Sequence, residues 1–254
     1  MTAARRRACL IAVLAAAALV ACQASPITGR QQFVIVSDAY AADLGVQAFR
    51  DIQNKTKVSN DPELNAAVER AGRSIVEAAG MANCDWEFRV FEDRTPNAFA
   101  LPGCKVGVNT GLFRVVEDED ELAAVIGHEV AHVALHHSAE RISQQIVAEL
   151  GLTLVTAGAR LDEARAEMLA QVVTVGAILP FSRQAESEAD AVGLRYMVLA
   201  GYDPEAAIDV WENFARIDGG QKPPEYLSTH PSDERRLAQL RALVDRYYAG
   251  EMPR

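Results

Sequence analysis

Two histidines four residues apart, with a glutamate directly after the first, stand inside the apolar run Ala123–Val133: His128, Glu129 and His132. The flanks are helix-forming and free of proline. Before them lies Glu117-Asp118-Glu119-Asp120-Glu121, an acidic run that suits a helix N-terminus. Residues four apart on a helix project from nearly the same side, so both imidazoles can bind one zinc ion. Glu129 lies about 100° round the helix, where a carboxylate reaches water at the metal without being a ligand. The alternative is a chance match on a buried helix. Burying such groups in an apolar helix without a partner is costly, and a metal supplies the partner.

A catalytic zinc site takes three protein ligands and keeps a fourth position open. The candidate for the third lies in Phe181–Gly193, where Glu186 and Asp190 share a helix face. Glu186 can complete the set while Asp190 hydrogen-bonds the outer nitrogen of a ligand histidine and fixes its tautomer. Taken alone, that pair also describes a solvated acidic face. Glu188 is the competitor, but it points about 200° away and needs another partner. Replacing it is therefore expected to affect neither metal nor activity much. Using His128, His132 and His136 together would stretch the ligands over about 12 Å of helix axis, too far for one ion. His136 and His137 are instead expected at the helix C-terminus, where positive charge is favoured. His230, before Pro231, reads by default as a surface turn residue.

The elements that must position these groups follow from periodicity. Helical spacing covers Asp38–Ile52 and Asp61–Ala79, the second opening with Pro62 at a first turn. Trp86–Phe91 alternates like a strand, and Asn97–Leu101 and Lys105–Val108 are two more, separated by Pro102-Gly103. Beyond Thr110 the chain reads as helix over roughly 118–137, 139–157, 163–178, 183–200, 204–217 and 231–248. A small three-stranded sheet leading into a helical body is α+β, mostly α. The apolar stretches 146–157 and 168–179 are too short to span a bilayer. They read as buried helices, with a membrane-facing lid as the alternative.

The first residues read as a targeting segment. Arg5, Arg6 and Arg7 precede an apolar stretch ending Leu19-Val20-Ala21-Cys22. That boundary resembles the lipobox of bacterial lipoproteins, which implies lipid on Cys22, a tether over 22–37 and one domain over 38–254. An uncleaved anchor, or cleavage without lipid, are the alternatives. The net charge of −10 argues against nucleic acid and against a polybasic grip on anionic lipid. Cys84 and Cys104 remain, and an even pair in an exported protein reads as a disulfide, two unrelated thiols being the other reading.

The motifs also resemble a known family. Helical His-Glu-Val-Ala-His, followed some fifty residues on by Phe181-Ser182-Arg183 with Glu186, Glu188, Asp190 and Gly193, is similar to the M48 zinc metallopeptidases. Thr95–Gly103, Thr110-Gly111-Leu112 and Ser228–Pro231 with Arg236 agree as well, and Pro26–Arg30 resembles the start of the lipoprotein branch. The resemblance implies a gluzincin, a zincin with His128, His132 and Glu186 on one Zn2+ and Glu129 as base. It implies that the edge strand, Asn97, Ala98, Phe99 and Ala100, holds a polypeptide substrate as an added β-strand. It also brings His230 near the metal, either assisting the reaction or closing the fourth position, and gives His137 a structural role near the site. The family commonly has Gly-Gly where this chain has Gly103-Cys104, a change that favours a bridge to Cys84. The implied function is an endopeptidase lipid-anchored in a bacterial envelope, on the periplasmic face of the outer membrane, removing misfolded proteins, with assembly or quality-control partners. A lipoprotein chaperone with a structural zinc is the rival. A cell-wall amidase fits less well, since aromatics are only 6% of residues and no sugar-stacking cluster stands out.

Overall fold

Start signals in the sequence become caps in the structure. Ser37 accepts from the Tyr40 amide to open α1 (Asp38–Lys55), and Asp61 accepts from Glu63 and Leu64 to open α2 (Pro62–Ala78). Asp118 accepts from the Glu121 amide to open α3 (Glu119–Ala134), while the Glu121 carboxylate accepts from the Glu117 amide. The computed structural model describes residues 22–159, 183–217, 230 and 234–251. The targeting segment 1–21, the stretch 168–179 and the residues beside His230 lie outside them.

The remaining described helices are α4 (His137–Ala159), α5 over 183–199, α6 (Ala206–Ile217) and α7 (Glu234–Tyr248). Among the described residues, no helix is long and apolar enough to cross a membrane. The three-stranded sheet runs β3 (Glu87–Phe91), β5 (Lys105–Asn109), β4 (Ala98–Leu101) in space. β3 pairs parallel with β5 from Glu87↔Lys105 to Phe91↔Asn109. β4 pairs antiparallel from Ala98↔Val108 to Leu101↔Lys105, which leaves it at the edge among the described residues. Central β5 is buried throughout, and even Lys105 donates inward to the Asp85 carbonyl at 2.7 Å. Gly107 lets this strand lie under aromatic rings, since a Cβ there would stand 2.2 Å from the Phe99 ring. The fold is α+β and mostly helical, as the sequence pattern predicts.

Helix α3 is the axis of the molecule. It touches α2, β4 and α6, and its whole middle, Leu122 to Ala131, is buried. Helix α5 comes against it at a pair of glycines. A Cβ on Gly193 would stand 2.8 Å from the His128 amide nitrogen, and one on Gly127 3.1 Å from the Gly193 carbonyl. Backbone thus meets backbone where the histidine motif begins.

Two expectations change. The segment 22–37, read as a tether, contains a β-hairpin: β1 (Cys22–Ala24) pairs antiparallel with β2 (Gln31–Phe33). It docks on the body, with the Gln32 amide donating to the Leu135 carbonyl at 2.7 Å. Its three-residue strands are too short for a period-two pattern to register. The histidine pair also moves. α3 ends at Ala134, His136 makes the turn with a left-handed φ of 56°, and His137 is the first residue of α4. The left-handed residue stops one helix and redirects the chain into the next, so His137 sits at an N-terminus and not a C-terminus.

Cys84 and Cys104 form a disulfide across 20 residues. On loop-closure entropy that bridge contributes about 3 kcal/mol. The Cys84→Ser/Cys104→Ser pair is expected to lose about that much in urea unfolding, and equal stability would show the bridge idle. Gly193→Ala should cost about 1–3 kcal/mol, because backbone must move to admit the methyl. Denaturation of that variant with an unchanged midpoint would mean the helices part freely.

Candidate metal centre

Four side chains from three parts of the chain converge on one point. His128 and His132 come from α3, Glu186 from α5, and His230 from the segment before α7; one donor atom of each lies within 4.8 Å of all the others. The closest separations are 3.0 Å between the two Nε2 atoms of His128 and His132, and 3.2 and 3.3 Å from these to the Glu186 oxygens. His230 Nδ1 stands 3.3 Å from His128 Nε2 and 3.1 Å from both Glu186 oxygens. Donors about 2.0–2.1 Å from a tetrahedral ion are about 3.3 Å apart, so these spacings match the edges of a zinc tetrahedron. Imidazole and carboxylate are the donor types zinc takes.

The electrostatics point the same way. Burial works to lower the proton affinity of His128, but Asp190 and Glu186 outweigh it and push the imidazole up to about 10. Burial works to raise Glu186, yet the surrounding imidazoles hold its carboxyl well below the usual range. A buried carboxylate that stays ionised beside an imidazole that gathers a proton marks a place for positive charge. One zinc ion supplies it, and the residues present fit that ion.

The supporting residues were only partly legible. Asp190 Oδ1 lies 3.0 Å from His128 Nδ1, the contact expected of it. Arg236 holds both Asp190 oxygens, at 2.7 Å each, and its third nitrogen stands 3.0 Å from Glu186. In the sequence Arg236 has a place in a motif but no evident task. A buried arginine on an otherwise amphipathic helix, 4% exposed, is the signal that needs a buried carboxylate nearby. Glu188 points away from the donors as expected, and its partners are Arg30, Thr28 and His137.

Glu129 is 2% exposed and outside the donor set. Its Oε2 accepts from the Ala100 amide of edge strand β4 at 3.0 Å, and its Oε1 is 3.3 Å from His230 Nε2. Burial raises its pKa, with His230 and His128 pulling the other way. Strand β4 packs on α3 while Phe99 sets its ring against Phe49 and Phe91. Asn97 precedes the strand, its carbonyl accepting from the Asn109 amide at 2.9 Å.

Comparison with known proteins places this centre. Residues 62–244 match Peptidase family M48. The chain is 35% identical over 219 residues to the mitochondrial metalloendopeptidase OMA1 of Schizosaccharomyces pombe, covering 85% of this chain and 64% of that protein. It is 31% identical over 224 residues to a putative beta-barrel assembly-enhancing protease of Vibrio cholerae, covering 85% and 45%. The Escherichia coli beta-barrel assembly-enhancing protease is 30% identical over 210 residues, covering 78% and 42%. The chain therefore spans between two fifths and two thirds of these relatives' lengths. The match runs from α2 through α7 and takes in all four donors, and on that ground the chain belongs to peptidase family M48.

Proposed function

We propose that this chain is a zinc endopeptidase of unfolded or misfolded polypeptides, lipid-anchored through Cys22 at the periplasmic face of a bacterial outer membrane. The observation that carries the peptidase reading is Glu129: a buried carboxylate outside the donor set, between the donors and an edge-strand amide. His128, His132 and Glu186 would hold the ion, which when bound would supply Lewis-acid chemistry. Glu129 takes the proton of the attacking water and delivers it to the leaving amine. A polypeptide adds to the open edge of β4 through backbone hydrogen bonds, which gives loose sequence preference. Asp190 keeps the proton of His128 on Nδ1, so that Nε2 faces the ion. The envelope location rests on the segment from Arg5 to Cys22. Relatives named for β-barrel assembly support envelope proteins as substrates or partners.

Glu129→Gln is expected to keep about one zinc per chain while cleavage of unfolded casein falls by about 10²–10⁴-fold. Glu186→Ala should lose both metal and cleavage. Full cleavage by Glu129→Gln would remove the glutamate from its role as base.

The position of His230 favours a latent form. With its Nδ1 beside Glu186 and His128, an ion at this point would have four protein donors and no open position. The same closure is what a structural zinc in a chaperone would need. His230→Ala separates these cases in one assay of zinc content and casein cleavage. Latency predicts retained zinc and faster cleavage. A structural ion predicts lost zinc and no cleavage. A hydrogen bond from His230 to the developing oxyanion predicts retained zinc and turnover slowed by about 2.7–4 kcal/mol.

A further inference from the structure

His132 has a partner behind it that the peptidase reading does not use. Its Nδ1 lies 3.0 Å from Nδ1 of His137, and Nε2 of His137 lies 3.2 Å from Glu188 Oε2. Only one proton arrangement satisfies this line. With His132 Nε2 among the donors, its proton is on Nδ1 and donates to His137 Nδ1. The His137 proton is then on Nε2 and donates to Glu188. Glu188 is fixed in turn by Arg30 Nε at 2.6 Å and the Thr28 hydroxyl at 2.8 Å. Arg30 spends its other two nitrogens on Glu140, at 2.9 and 2.6 Å. His137 and Glu140 are buried, and the Arg30 and Glu188 side chains are half-buried, 10% and 13% exposed.

The other ligand histidine has the same construction in shorter form, with Asp190 against His128 and Arg236 against Asp190. Each zinc-facing imidazole is thus backed by a carboxylate, and each carboxylate by an arginine. On the His132 side an extra imidazole fills the gap. The arginine comes from the loop joining β1 and β2.

We infer that Arg30 and Glu188 are positioning residues for the metal centre, acting through His137 to fix the tautomer and ring orientation of His132. This rests on the assignment of His132 as a zinc ligand. It gives the Pro26–Arg30 segment a task, and it reverses the expectation that Glu188 is dispensable. Outer partners of ligand histidines typically change metal affinity by about 10–100-fold.

The test is a zinc dissociation constant for the full chain, taken by competition with a chromophoric chelator, beside thermal unfolding of the metal-free protein. Glu188→Ala and His137→Ala should each weaken zinc by about 10–100-fold, and Arg30→Ala should act in the same direction. The Glu188→Ala/His137→Ala double variant should bind zinc no more weakly than His137→Ala alone, because Glu188 works only through that ring. A merely structural Glu188 would lower the unfolding temperature and leave the zinc constant alone, and that result overturns the inference. Full additivity in the double variant overturns it too. If Glu188→Ala does not fold, Glu188→Gln makes the same measurement with volume kept and charge removed. Parent protein that binds no zinc would sink the metal assignment itself, whereas tight parent binding with unaffected variants sinks only this inference.

Discussion

The centre depends on keeping Glu186 ionised out of water. At 3% exposure it shares the interior with Asp190 at 8% and Glu129 at 2%, and a lone buried carboxylate would take up a proton. Arg236 bridges two of the three, and one guanidinium cannot balance them all. His128 gathers a proton beside Asp190 and Glu186, pushed up to about 10, whereas burial drives His132 down to about 3, so the difference is left to a shared cation. This arrangement exists only because α5 can lie against α3 without side chains between them. Gly127 and Gly193 provide that approach, so a packing requirement one residue from His128 sets the ligand distances.

What was legible in the sequence is what is local. Periodicity and caps located the described helices to within a few residues, and four-residue spacing put His128 with His132 and Glu186 with Asp190 on shared faces. The hairpin of 22–33 was not legible, because three-residue strands carry no pattern. The role of His137 was hidden for a different reason. A left-handed His136 turns the chain, and only that turn brings His137 back over His132. Arg30 and Glu188 are 158 residues apart, so their pairing is a property of the fold. Glu188 did carry half the signal, since its direction away from the donors required a partner it could not name.

The turn between β4 and β5 shows how a local irregularity reaches the site. Gly103 and Cys104 both adopt positive φ, 81° and 63°. Glycine does this freely, while a side chain costs about 1–2 kcal/mol. The bridge to Cys84 offsets that strain by holding the loop in place. Pro102 is pressed on α1 at Gly45, where a Cβ would stand 2.0 Å from the Pro102 carbonyl oxygen. With its end fixed on both sides, β4 keeps its register on β5. The Ala100 amide therefore reaches Glu129 at 3.0 Å.

Two residues from the C-terminal part of the described chain contribute unequally to this geometry. Arg236, on α7, braces Asp190 with two nitrogens and reaches Glu186 with the third. His230 precedes it by six residues and is in contact with the same Glu186 oxygens. If His230 left the donor set, Glu186 would still face Arg236, and Asp190 would still hold His128. The cost of breaking a buried charged contact would fall on Glu129, whose Oε1 is 3.3 Å from His230 Nε2, and not on the ligand Glu186 or on Asp190. The ring could therefore be exchanged for water with the other three donors still braced. That is what a closed but reversible site requires, and what a permanently structural one has no need to preserve.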